Sequence, residues 1–408
     1  MTRGRRQASF LLLAAVLAAC APDVDIVRPA APSGGSMFRS YVSIGNSLTA
    51  GFQSAGINAN TQAAAYPVLI AQAVGTPFRI PSLMLPGCPP PVINFQTLQR
   101  SGGGSGDTCA LRTAGSVAEI INNVAVPGAT SLDPTSRTTS ASNVATLLIL
   151  GGKSQVERAI EAAPSFVSIW IGNNDLLDAA LTGIVVATPG ISSGITPQPT
   201  FEVNYERMLD ALAAGADLEG GLLIGVFDPT SAPALFPASA LVTDGAFKAA
   251  FDQYVGAVTT LLPTCTASTS SLISLAIALA IRAGTHPPTI GCEPEAAPVA
   301  PVGDRYVIDA NERAAIGAAV AAYNDFIAAH ASALGFAYLD PNAPLAALRQ
   351  GGQIPLVPDL VSVTAPFGAF ISLDGVHPSA KGHAILANAA IDVISQEYGL
   401  SIPPVPIP

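Results

Sequence analysis

Five short apolar runs, separated by helix-like stretches, constrain the fold of this chain more than any other feature. Tyr41 to Gly45 (YVSIG), Ile120 to Val126, Phe166 to Gly172 (FVSIWIG), Gly221 to Phe227 (GLLIGVF) and Phe336 to Asp340 are too short for helices and are bounded by turn residues. Between and after them, Ala64 to Val74, Val144 to Ala162, Glu202 to Ala214, Asn311 to Leu334 and Ser379 to Tyr398 read as helices, the last with Ser379 as its N-cap. Strands that are apolar on both faces and alternate with helices predict a parallel sheet covered by helices on each side, an α/β fold. Two stretches exceed what such a fold needs, residues 79–118 and about 230–305. Insertions of this length in a regular α/β domain are expected to be lids or binding loops.

The chain has 408 residues, of which 50% are apolar, so a sizeable core is easily filled. Only 11% are charged and the formal net charge is −10. A basic patch able to neutralise phosphates is missing, which excludes nucleic acid as an expected partner.

The N-terminus reads as an export signal. Arg3, Arg5 and Arg6 precede an apolar stretch, Phe10 to Ala19, too short to span a bilayer. It ends in Leu17-Ala18-Ala19-Cys20, which resembles the lipobox of bacterial lipoproteins. That resemblance implies a signal peptide over 1–19, lipidation of Cys20 and a membrane anchor. Ala21 in place of an Asp favours the outer membrane. Residues 20–36, with Pro22, Pro29, Pro32 and the run Ser33-Gly34-Gly35-Ser36, are expected to form a flexible tether. The main folded domain is expected over 37–400, with 401–408 as a tail.

Four further cysteines suit an exported chain with two disulfides, for which three pairings exist. Cys88 with Cys109 and Cys265 with Cys292 is the expected pairing, because each pair brackets a Pro/Gly/Ser-rich stretch. Closing such loops contributes roughly 3 kcal/mol each. A metal site is not expected, since no CxxC pair occurs and the chain has only four histidines.

Four motifs fall at the ends of elements. Gly45-Asn46-Ser47-Leu48-Thr49 follows the first strand, at the edge of a parallel sheet where ligands bind. Gly128, after Asn123 to Pro127, lets a backbone N–H approach a substrate oxygen with no Cβ in the way. In Gly172-Asn173-Asn174-Asp175 an Asn carboxamide is placed to donate to the same oxygen. Asp374-Gly375-Val376-His377-Pro378 puts an acid and a base three residues apart, as an ester hydrolase requires. Of His286, His330, His377 and His383, only His377 has a carboxylate at that spacing.

In order, these motifs resemble the four blocks of the SGNH/GDSL hydrolases, at Ser47, Gly128, Asn174 and His377, over about residues 38–397. The resemblance implies a flavodoxin-like three-layer fold with a five-stranded parallel sheet and a Ser47–His377–Asp374 triad. It also implies an oxyanion hole of the Ser47 and Gly128 N–H groups and the Asn174 side chain, an acyl-enzyme, and no cofactor. Asn46 departs from the family's usual GDSL, which has Asp there; the Asp is not a triad member, and Asn also caps tight turns. The expected substrate is a carboxylic ester, whether lipid, short-chain or acetylated glycan, cleaved at the cell envelope. The alternatives are a carbohydrate O-acetylesterase and a non-catalytic envelope lipoprotein. The run Leu272 to Ile281 is read as a helix, either a lid offering an acyl-binding surface or a piece of core.

Overall fold

Seven strands carry the architecture: β1 (Tyr41–Gly45), β2 (Phe166–Trp170), β3 (Gly220–Ile224), β4 (Leu235–Pro237), β5 (Leu272–Ser274), β6 (Val307–Ile308) and β7 (Ala337–Leu339). The principal helices are α1 (Tyr66–Val74), α2 (Asn174–Thr182), α3 (Gln198–Gly215), α4 (Gly245–Val255), α5 (Ala276–Arg282), α6 (Ala310–Leu334) and α7 (Ala380–Tyr398). The computed structural model describes residues 35–110, 112, 119–136, 145–185, 194–268, 270–292 and 306–408. The expected signal peptide, Cys20 and most of the expected tether lie outside the described residues.

The central sheet runs β1-β2-β3-β7, all parallel, with Tyr41 opposite Phe166, Phe166 opposite Gly220 and Ala337 opposite Leu222. Every residue of β1, β2 and β3 is buried, as apolar-throughout strands require. Side chains alternate between the two faces. Val42, Ile44, Val167, Ile169 and Leu223 pack with Phe201 and Met208 of α3 and Ile316 and Val320 of α6. Tyr41, Phe166, Trp170, Leu222 and Ile224 pack on the other face with Ile70 of α1 and Ile391 and Ile394 of α7. The result is the three-layer α/β fold expected. Each fully buried Ile, Leu or Val contributes about 1.5–3 kcal/mol over its exposed state.

The sheet differs from expectation at one edge. Residues 122–126 run parallel to β1, with Ser43 N–H donating to Asn122 O, Val124 N–H to Ser43 O and Val126 N–H to Gly45 O. They form one isolated bridge rather than a strand, so four strands, not five, make the central sheet among the described residues. The cause is local: Asn122 Nδ2, not a backbone N–H, donates to Tyr41 O, and Gly45 N–H donates to Gln155 Oε1 instead of to this segment. With this segment in the edge position, the spatial order is nevertheless that of flavodoxin-like sheets.

Two other expectations are corrected. The helix predicted over Val144 to Ala162 is two helices, Ala145–Leu150 and Gln155–Glu161. Gly151 and Gly152, at φ +65° and +84°, end the first, and a Ser154/Glu157 capping box starts the second. The run Leu272 to Ile281 is β5 followed by α5, not one helix. Ile273 and Ile277 are fully buried in a second core with Phe236, Phe251 and Ile290. Strands β4, β5 and β6 form a small antiparallel sheet over that core. Cys88 is bonded to Cys109 and Cys265 to Cys292.

Candidate active site

The ends of β1 and β2 and the loop before α7 converge at one edge of the sheet. β1 stops at Gly45, where a Cβ would meet Thr49 Oγ1 at 2.3 Å and Trp170 O at 2.7 Å, so only glycine fits the turn. Asn46 caps the short helix Ser47–Ala50, its Oδ1 accepting from Leu48 N–H at 3.1 Å. Its Nδ2 donates to Asn173 Oδ1 at 3.2 Å, which ties this turn to the end of β2. Ser47 thereby sits in the first turn of a helix with its Oγ aimed out of the sheet edge.

His377 Nε2 lies 2.9 Å from Ser47 Oγ, and His377 Nδ1 lies 2.9 Å from Asp374 Oδ2. Both side chains of the His–Asp pair are mostly shielded, at 12% and 13% exposure. Asp374 is held from several directions: it accepts from Ala55 N–H at 2.8 Å, Val376 N–H at 2.9 Å, His377 N–H at 2.8 Å and Ser372 Oγ at 3.1 Å. Burial by itself would raise this carboxyl. The adjacent His377 charge and the donated hydrogen bonds outweigh it and hold Asp374 well below the usual carboxylate range. The Phe52 ring packs 5.0 Å from the His377 ring and limits its rotation.

Asn174 opens α2, and its Nδ2 donates to Ala129 O at 2.8 Å, leaving the other amide hydrogen available. Gly128, the residue before Ala129, has φ +81° with open space where a Cβ would stand. That left-handed conformation by itself favours glycine at this position. Asn174 and Gly128 are joined through Ala129, and Val126 N–H bonded to Gly45 O brings that loop beside the end of β1.

A residue not singled out from sequence fixes this arrangement. Asp175 is fully buried and accepts from Ser131 N–H at 2.8 Å and Ser131 Oγ at 2.7 Å. Burial, offset in part by these bonds, raises its carboxyl to about 6. Asn174 and Asp175 thus clamp the 128–131 loop to α2 at two adjacent positions.

The other histidines stand apart. His383 is fully buried on α7, accepts from Tyr66 N–H and is lowered to about 3 by desolvation. His330 lies on α6 with Nδ1 at Phe326 O, and buried His286 has Nδ1 at Pro287 O.

A small recess of ≈ 20 Å³ lies over Ser47, among Asn174, Leu177, Phe227 and His377. Behind Leu48, Phe227 and Val376 lies a separate apolar recess of ≈ 60 Å³ against α7.

A parallel α/β sheet carrying a hydrogen-bonded Ser–His–Asp set at its carboxyl edge defines a class, the serine-type hydrolases. The model of the GDSL-like Lipase/Acylhydrolase family matches residues 41–390, and the chain belongs to that family, the carboxylic ester hydrolases also called SGNH hydrolases. Among solved structures it is similar to an acetylxylan esterase, Axe2, from Geobacillus stearothermophilus. That likeness has 14% identity over 88% of this chain and 94% of that one, with a TM-score of 0.35. It is also similar to LAE5, an alpha/beta hydrolase from the metagenome of Lake Arreo, Spain, with 13% identity over 90% and 98% and a TM-score of 0.37. No curated protein sequence matches it.

Proposed function

We propose that this family member cleaves carboxylic esters through an acyl-enzyme on Ser47, with His377 as base and Asp374 as its orienting acid. The observation that carries the proposal is the unbroken hydrogen-bond line from Ser47 Oγ through His377 to Asp374. As Ser47 Oγ bonds to the ester carbonyl carbon, His377 Nε2 takes its proton. The imidazolium formed is stabilised by Asp374, which stays ionised. The carbonyl oxygen, now negative, accepts from the Ser47 and Gly128 N–H groups and from the free amide hydrogen of Asn174. His377 then hands its proton to the departing alkoxide, and a water molecule repeats the sequence to release the acid.

The enzyme acts, on this reading, at the bacterial cell envelope, held there by lipid on Cys20. The lipobox-like Leu17-Ala18-Ala19-Cys20 supports this. The experiment is hydrolysis of p-nitrophenyl acetate by the full chain and its Ser47→Ala variant. Turnover lost in the variant is expected; equal turnover in both would defeat the reading.

A further inference from the structure

The recess over Ser47 is small, so a longer arm of an ester extends beyond it. One route is large. A groove of ≈ 230 Å³ opens on the far side of Val376, a residue that also lines the recess over Ser47. The two spaces share a second wall, α2. Leu177 faces the recess and Leu181, four residues on and hence on the same helical face, faces the groove.

Most of the remaining wall comes from the two insertions, and Ala55, Leu373 and Asp374, outside them, close one side. Val92, Phe95 and Leu98 belong to the first; Tyr254, Leu275 and Leu279 belong to the second. The insertions are fixed to one another there, with the Phe95 and Tyr254 rings stacked at 4.8 Å and Arg282 donating to Gln96 O at 3.2 Å. The lining is mainly apolar, with Arg100, Ser274 and Asp374 as its polar members, and Leu98 and Leu279 stand 37% and 41% exposed at the rim, so a chain has an entrance from solvent. By comparison the recess against α7 has about a quarter of this volume.

We infer that this groove, built largely by the two insertions, binds a hydrocarbon chain of the ester substrate. The inference rests on the esterase reading above and adds the substrate class: esters with an aliphatic arm, acyl or alkyl. A glycan acetate offers hydroxyls that such walls leave unpaired. Each methylene buried in the groove should raise kcat/KM about fourfold until the groove is full.

The test uses the full chain, the rim variant Leu98→Asn/Leu279→Asn and the plug Ala276→Trp, which places a large ring on a half-buried lining position. One arm varies acyl length in p-nitrophenyl acetate, butyrate and octanoate. The other varies the alcohol in ethyl, butyl and octyl acetate. The expected result is a rise with chain length in one arm, which identifies the arm that occupies the groove. Both variants should cut that long-to-short ratio at least tenfold while leaving the acetate or ethyl value unchanged. Ser47-dependent activity with no rise in either arm, or a rise that both variants retain, overturns the groove and leaves the esterase standing. Absence of any Ser47-dependent turnover overturns both.

Discussion

Asn46 occupies the position where the family's usual motif has Asp, and its contacts explain how the change is accommodated. Its Oδ1 caps Leu48 N–H, a role Asp fills equally, while its Nδ2 donates to Asn173 Oδ1. Asn173 Nδ2 is buried and has no hydrogen-bond partner among the described residues. Turning the Asn173 amide over would present that N–H to the carboxylate of an Asn46→Asp variant. This substitution is therefore expected to keep kcat within about threefold of the parent, since a donor–acceptor contact is exchanged for a charge-assisted one; a fall beyond a hundredfold would contradict the exchange. The triad is less forgiving. Asp374→Asn replaces the acceptor that fixes the His377 tautomer and should lower kcat about 10⁴-fold with folding retained, checked by circular dichroism alongside kinetics. Asn174→Ala removes one oxyanion donor and should cost roughly a hundredfold or more; turnover equal to the parent would remove Asn174 from that role. Because the Asp374 carboxyl is depressed, its stabilisation is complete above its unfolded value, falls progressively below that, and is gone once pH has fallen through its lower folded value.

At the scale of elements, the clamp between α2 and the 128–131 loop makes a pH-dependent statement. The Asp175 carboxyl rises to about 6 in the fold. Below about pH 4 both states hold the proton and the group is neutral to stability. Between about pH 4 and 6 the unfolded chain releases it while the folded chain keeps it, so stability falls as pH rises, by about 2–3 kcal/mol in all. Unfolding free energies from urea titrations of the parent and Asp175→Asn should differ by an amount that changes by this much between about pH 4 and 7. A difference constant with pH would contradict the buried, protonatable Asp175. Sequence pattern conveyed the elements unevenly. Tyr41 to Gly45 forms the strand its composition predicts. Ile120 to Val126 does not, because the Asn122 and Gln155 side chains take over ladder positions of Tyr41 and Gly45, and period or apolarity carries no sign of that. Ser47, Asp374 and His377, which the fold brings within hydrogen-bond reach, stand out in the sequence because each sits in a local motif at the end of an element. Ser131 with Asp175, and Ala55 with Asp374, are contacts across 44 and 319 residues, and nothing in the neighbourhood of either residue announces its partner.

For the whole molecule, the two insertions enter a second core, the second supplying most of it and the first only Phe95, with Ile354, Leu360, Phe367 and Ile371 completing it beside an antiparallel sheet and a disulfide. Their apolar content, the ten-residue run Leu272 to Ile281 above all, goes into that core instead of a long lid helix. The run's apolarity was legible, but its split into strand and helix depended on pairing with β4 and β6, which lies outside any local window. The proposed anchor makes a separate prediction: Cys20→Ala should shift the protein from the membrane to the soluble fraction of cells, as read by fractionation and immunoblot, and unchanged membrane association would remove the lipid anchor from the account. The central claim, that Ser47 is the nucleophile, is tested most directly by fluorophosphonate labelling of the full chain followed by peptide mass spectrometry. A single adduct on Ser47 is expected, absent from Ser47→Ala and sharply slowed in His377→Ala. Ester hydrolysis that persists with Ser47 unlabelled, or an adduct on another residue, would contradict it.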